Sequence, residues 1–306
     1  EHRLPAPPLC PPTGHYYRRA VNDLFDLLRE PWTYEFMQRG LIAAALVSVV
    51  AAVVGSFVIL KGMAFIGDAL PHASFGGVAI AFALGENLYV GGGIAALLTA
   101  LLIGLVSRRG MVKYDTAIGI LFVAAFALGV AVVSRQQNYT VDLFAFVFGN
   151  VLAVTWGDVW LTAVIGAAVL ALIALFYKEL LFTAYDPSMA AAAGLPVAAL
   201  QYGLLAVLAL TTVIALQTVG IVLVVALLVT PAATAQLLAR SLPAMMSLGA
   251  AIGAAASLLG LYVAWYADLS ASAAIVLAAT GFFLAAFLFA PQRGLVWQLT
   301  PRRGSR

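Results

Sequence analysis

The chain has 306 residues, of which 64% are hydrophobic and only 9% charged. A soluble domain carries about a quarter charged residues, so this chain cannot cover its surface with polar groups and its solvent is largely lipid. A net charge of +3 held in short clusters argues against a nucleic-acid partner, and the single cysteine, Cys10, excludes an internal disulfide framework and a Cys-x-x-Cys metal site.

Residues 1–36 read as a tail: a Pro-rich stretch through residue 14, then an amphipathic segment over 19–38 (RAVNDLFDLLREPWTYEFMQ) that fits a helix lying on the membrane surface. No apolar h-region precedes residue 40, so no cleavable signal is expected. The transmembrane domain is placed at 37–295 and a basic C-terminal tail at 296–306. A membrane-spanning helix needs about 20 apolar residues. Runs of that length predict spans over Gly40–Leu60, Gly62–Leu84, Leu88–Val106, Thr116–Val133, Val159–Tyr177, Val197–Leu216, Val219–Ala239, Ala244–Tyr266 and Ala271–Ala290. The fold class is therefore an all-α integral membrane protein, a polytopic bundle of about eight to nine transmembrane helices. Phe144–Trp156 is too short to span and reads as interfacial or re-entrant. Closely spaced glycines at Gly91–Gly93 and Gly249–Gly253 predict tight helix–helix approach.

Loop charges orient the bundle. Lys61, Arg108, Arg109, Lys113, Lys178, Arg240 and the tail arginines Arg293, Arg302, Arg303 and Arg306 fall on one side, and only Arg135 on the other. Positive loops stay inside, which predicts a cytoplasmic C-terminus and, with nine spans, an external N-terminus in the cytoplasmic membrane of a prokaryote.

Every acidic residue except Asp68 falls in the tail, in a loop or at a span end, and His72 is the only histidine in a span. Four residues apart, the two share one helix face. An Asp at a helix centre costs about 2.5–3.5 kcal/mol on insertion scales, so two such groups point to a shared ligand, a proton or a metal ion. A carboxylate with an imidazole suits Zn2+, Mn2+ or Fe2+ without choosing among them. The bland alternative is an Asp–His pair that only ties helices together. Pro71 lies between the two, and Pro231 follows Thr230 in the seventh span; each predicts a kink.

On the inner side, Asp186 and Pro187 read as helix cap and first helical residue, and Gly194 as the stop. This makes a short cytoplasmic helix, either a plain connector or a docking knob for a partner. No lysine follows a glycine anywhere, so there is no phosphate-binding loop of the Walker type.

Several stretches carry a resemblance. They are GSFVILKGMAFIGDALPHA from Gly55, DTAIGILF from Asp115, FGNVLAV from Phe148, KELL from Lys178, YDP from Tyr185, AGLP from Ala193, QTVGIVLVVALLVTPAATA from Gln217 and AWYADL from Ala264. In this order they resemble the permease subunits of zinc/manganese/iron ATP-binding-cassette (ABC) importers. The resemblance implies a type II importer-like permease working as a homodimer, with two cytoplasmic ATPase subunits that use the ATP and an extracytoplasmic metal-binding protein that delivers the ion. It implies a metal-pathway role for Asp68 and His72, coupling to the ATPase through Tyr185, Asp186, Pro187, Gly194 and Leu195, and no permanently bound cofactor. Two departures stand out: Pro71 where the family carries Ser, and Gly76 where it carries Pro. An ion- or proton-coupled secondary transporter, a non-transporting membrane scaffold and a siderophore- or cobalamin-type permease are the competing readings.

Overall fold

The computed structural model describes residues 29–107, 112–135, 149, 151–290 and 295. The tail through residue 28 with Cys10, the pair Arg108–Arg109, residues 144–148 and 150 of the Phe144–Trp156 run and the basic tail at 296–306 lie outside the described residues.

In lipid every backbone polar group must be satisfied within its own segment, and helices do that. The long apolar runs accordingly form α1 (Glu35–Leu60), α2 (Ile66–Leu84), α3 (Leu88–Ser107), α4 (Tyr114–Val133) and α5 (Trp156–Leu175). Two short helices follow, α6 (Tyr177–Tyr185) and α7 (Pro187–Ala192), and then α8 (Val197–Val219), α9 (Ile221–Leu238), α10 (Leu242–Ala267) and α11 (Ala271–Phe289). Eight of these are long and apolar enough to cross a membrane. The ninth helix of comparable length, α2, is not among the eight; Asp68, Pro71 and His72 lower its hydropathy. The chain is a multi-pass membrane protein.

Three boundaries differ from the sequence reading. The segment at 19–38 is not one surface helix where it is described. Glu30–Thr33 forms a single 3-10 turn and α1 begins at Glu35, so the first span takes in Arg39. The second span begins at Ile66 rather than Gly62. Gly62 adopts φ +67, and Gly62 and Met63 donate back to Ile59 and Val58, which closes α1 and leaves Met63–Phe65 to lead into α2. The stretch after the fifth span is helical, not a loop: Phe176 breaks α5, and α6 buries Leu180 and Thr183.

The core is built around α1, which packs against α5, α8, α9 and α10; α2 packs against α3, α4 and α9. Without a hydrophobic driving force between helices, close backbone approach and hydroxyl bonds hold such a bundle. Ser48 on α1 and Ser257 on α10 share a buried 2.7 Å hydrogen bond. A Cβ on Gly91 of α3 would stand 2.5 Å from the Gly77 carbonyl oxygen on α2, so the predicted close approach is real there. At Gly249 the neighbours are at ordinary contact distance. The Gly77–Gly91 crossing is among the tightest, and Gly55 of α1 against the Leu228 carbonyl of α9 is closer still, with Gly76 of α2 also close against the Ala125 carbonyl of α4.

Candidate functional site

Asp68 sits in the first turn of α2, and His72 one turn further on. The pair thus stands near the start of the helix rather than at its centre, because α2 starts later than the apolar run does. A carboxylate in a helix's first turn is favoured by the backbone dipole. The neighbouring amides are already satisfied: Asp68 N–H donates to the Phe65 carbonyl and Gly67 N–H to that of Ala64.

The two side chains are in contact. His72 Nδ1 lies 3.2 Å from Asp68 Oδ1 and 2.8 Å from the Asp68 backbone carbonyl oxygen. A neutral ring that donates from Nδ1 to that carbonyl keeps the lone pair on Nε2, the atom then able to ligate. The ring also meets Phe122 edge-on at 5.6 Å between centroids and Phe126 at 6.1 Å, both on α4. Pro71 is buried inside α2 and has no N–H, which deprives the Gly67 carbonyl of its usual helical donor. Pro231 likewise lies inside α9, buried, with its ring 3.4 Å from a Cβ placed on Gly253 of α10; its surroundings are those of a packing residue.

The pair faces outward from the single chain. The Asp68 side chain is 43% exposed and that of His72 31%. Among the described residues no three His, Cys, Asp or Glu side chains come together as a metal cluster. Two apolar grooves, of about 390 Å3 between α2 and α3 and about 440 Å3 between α5 and α8, are not lined by either residue. One chain therefore presents one oxygen and one nitrogen donor side by side, open on one side.

At the end of the bundle where α2 starts, Asp186 caps α7: its Oδ1 accepts from Ser188 N–H at 3.0 Å and Met189 N–H at 2.9 Å, with Pro187 at the first helical position. Gly194 closes the helix at φ +83, and Leu195 N–H reaches back to the Ala190 carbonyl. Tyr185 and Met189 are more than half exposed while Ala190 is buried, so the short helix is anchored on one side and presents the other.

The sequence reading did not single out a polar cluster beside the pair. Lys61, in the turn after α1, donates from Nζ to Gln201 Oε1 at 2.8 Å, and Gln201 Nε2 donates to the Tyr114 hydroxyl at 2.9 Å and approaches Met63 Sδ at 3.9 Å. Burial pushes the Lys61 ammonium below its ordinary pKa. The available signal was a lone amide five residues into an otherwise apolar run.

Residues 33–290 match the family model described as the ABC 3 transport family. The chain is 48% identical over 264 residues to the manganese transport system membrane protein MntC of Listeria monocytogenes, covering 86% of this chain and 94% of that one. It is 43% identical over 260 residues to the manganese import system permease protein ScaB of Streptococcus gordonii, covering 85% and 93%. Among solved structures it resembles a chain of PsaBC from Streptococcus pneumoniae in complex with Fab, with a TM-score of 0.78 and 42% identity over 88% of this chain and 97% of that one.

Proposed function

This chain belongs to the ABC 3 transport family: it is the permease subunit of an ATP-binding-cassette importer of divalent metal ions, and we propose that its cargo is Mn2+, passed along Asp68 and His72. The observation that carries the route is a contacting carboxylate and imidazole left part-exposed within a bundle of largely apolar helices. Such groups do not face lipid. They face a second permease chain, and the two copies together offer two Asp and two His around a shared path. Oxygen and nitrogen donors suit Mn2+, and the relatives above are named for manganese. A sparse ligand set also suits a conduction site, which must release what it binds.

The remaining parts follow the orientation read from loop charge, with the turn after α1, the start of α4 and α7 on the cytoplasmic side. ATP is hydrolysed by a partner subunit docked on Tyr185, Asp186, Pro187, Gly194 and Leu195. An extracytoplasmic binding protein delivers the ion at the opposite end, near Glu86, Asn87 and Asp268. Movement of α7 rocks the permease between outward- and inward-open forms.

The test is reconstitution of the chain with its ATPase and binding protein in liposomes, supplied in turn with Mn2+, Fe2+ and Zn2+, with lumenal metal read by mass spectrometry. ATP-dependent accumulation of Mn2+ above the other two is expected. Accumulation of Zn2+ or Fe2+ without Mn2+ would overturn the cargo, and ATP-independent uptake driven by a proton gradient would overturn the mechanism.

Asp186→Ala tests the role of α7. It removes both capping bonds, a loss of about 1 kcal/mol on a six-residue helix. Metal uptake is expected to fall severalfold in the assembled complex, while the thermal stability of the isolated permease changes little. Unchanged uptake would make α7 a plain connector.

A further inference from the structure

Gln201 makes no contact with the metal pair, yet it bonds to both elements that frame it. Lys61 has only N–H donors, so the oxygen of the Gln201 amide must face it and the NH2 must face Tyr114 and Met63. The amide is thereby fixed in one orientation with each end occupied.

Each partner leads to the pair by a short rigid path. Met63 accepts at its backbone carbonyl from Ile66 N–H, at 3.0 Å, and Ile66 is the first residue of α2, two before Asp68. Tyr114 is the first residue of α4. Residues 114, 118 and 122 recur every four positions and so share a face of that helix. Ile118 is fully buried, and Phe122 sets its ring against His72. Gln201 itself is on the opening turns of α8, which begins at Val197, directly after the Gly194–Pro196 turn that ends the α7 segment. One side chain thus joins the segment that receives force from the ATPase to the turn that carries Asp68 and to the helix that braces His72.

We propose that Gln201 is the joint between the coupling helix and the metal pair, a positioning residue through which movement of α7 and α8 reaches Asp68 by way of Lys61 and Met63 and His72 by way of Tyr114 and Phe122. This rests on the permease reading above. When α8 shifts, the amide carries the α1–α2 turn and the α4 start with it, so the two ligands move together and the ion is released on the correct half of the cycle. A network of this kind acts as a unit, and removing one member removes most of the effect.

The experiment uses the full complex in liposomes, with ATP hydrolysis and Mn2+ accumulation measured on the same sample. Gln201→Leu keeps a branched side chain of similar volume, one atom shorter, and loses every side-chain hydrogen bond. It is expected to hydrolyse ATP within about twofold of wild type while moving on the order of tenfold fewer ions per ATP, for a network whose members act together. Tyr114→Phe deletes a single hydroxyl, with little prospect of unfolding the chain, and is expected to lower ions per ATP by a smaller factor. Adding Lys61→Met to Gln201→Leu is expected to cause little further loss, the mark of a shared path. The inference is overturned if ions per ATP stay at the wild-type value in Gln201→Leu and Tyr114→Phe, or if hydrolysis and transport fall by the same factor, which is the behaviour of a purely structural residue. A wild-type complex that moves no metal would instead sink the permease reading on which the inference stands.

Discussion

Asp68→Ala is expected to reduce Mn2+ accumulation to background while leaving the permease folded and assembled. The two halves of that result have separate causes. Asp68 lies in the first turn of α2 with its side chain 43% exposed, so truncation opens no cavity in the core. It removes a charge whose burial in a membrane is costly and a favourable helix-dipole interaction of about 0.3–1 kcal/mol. Those terms oppose each other, and stability stays near wild type. Transport has no such compensation. Changing a group behind a metal ligand already costs about 10–100-fold in affinity or activity, and on the proposed route Asp68 would supply the only carboxylate oxygen of each chain. His72→Ala is expected to behave alike, with an added loss of the ring contacts to Phe122 and Phe126. Metal content of cells or liposomes, normalised to permease in the membrane, reads both. Wild-type accumulation in Asp68→Ala would make the pair a structural tie and remove it from the ion's path.

Where the metal pair sits was only partly legible beforehand. Lone ionisable residues are conspicuous in a chain that is 9% charged, so Asp68 and His72 could be found by elimination. Their depth could not. The apolar run begins at Gly62, but Gly62 takes a left-handed φ and the chain turns before α2 starts. Hydropathy does not register such a turn, since Met63, Ala64 and Phe65 are as apolar as a helix interior. The α7 segment was legible because its signals are local: an Asp-Pro start and a glycine stop have the same meaning in any surroundings. Helix α6 was missed because Lys178 and Glu179 suggest a loop, whereas Leu180 and Thr183, three positions apart, mark its buried face. Gln201 was missed for a different reason. Its importance lies in partners 140 and 87 residues away along the chain, and nothing in the sequence near it announces them. In a bundle whose helices are apolar all round, periodicity also fails to say which face is inside, so crossings at isolated glycines such as Gly55 were not legible, whereas the glycine run at Gly91–Gly93 was.

Gly55→Ala tests the crossing that the structure makes most demanding. A Cβ there would lie 1.9 Å from the Leu228 carbonyl oxygen and 3.0 Å from its carbon. Both are backbone atoms of α9, which no rotamer change can move aside. To reach ordinary contact the helices must part by about 1.5 Å, a displacement that forfeits dispersion along the whole α1–α9 seam. Overpacking of this kind costs about 1–3 kcal/mol, and more where backbone blocks relaxation. The displaced residue also touches the functional end of α2, since Leu228 Cδ2 would stand 2.8 Å from a Cβ on Gly67, the neighbour of Asp68. Thermal unfolding in detergent is therefore expected several degrees lower for Gly55→Ala, with metal uptake reduced in the fraction that remains folded. Gly281→Ala on α11 is the matched control: the same methyl meets nothing within 4 Å. There the higher helix propensity of alanine, about 1 kcal/mol over glycine, should leave stability unchanged or slightly raised. If both variants unfold alike, the close α1–α9 contact is not what holds this part of the bundle, and Leu228 does not transmit strain to the pair.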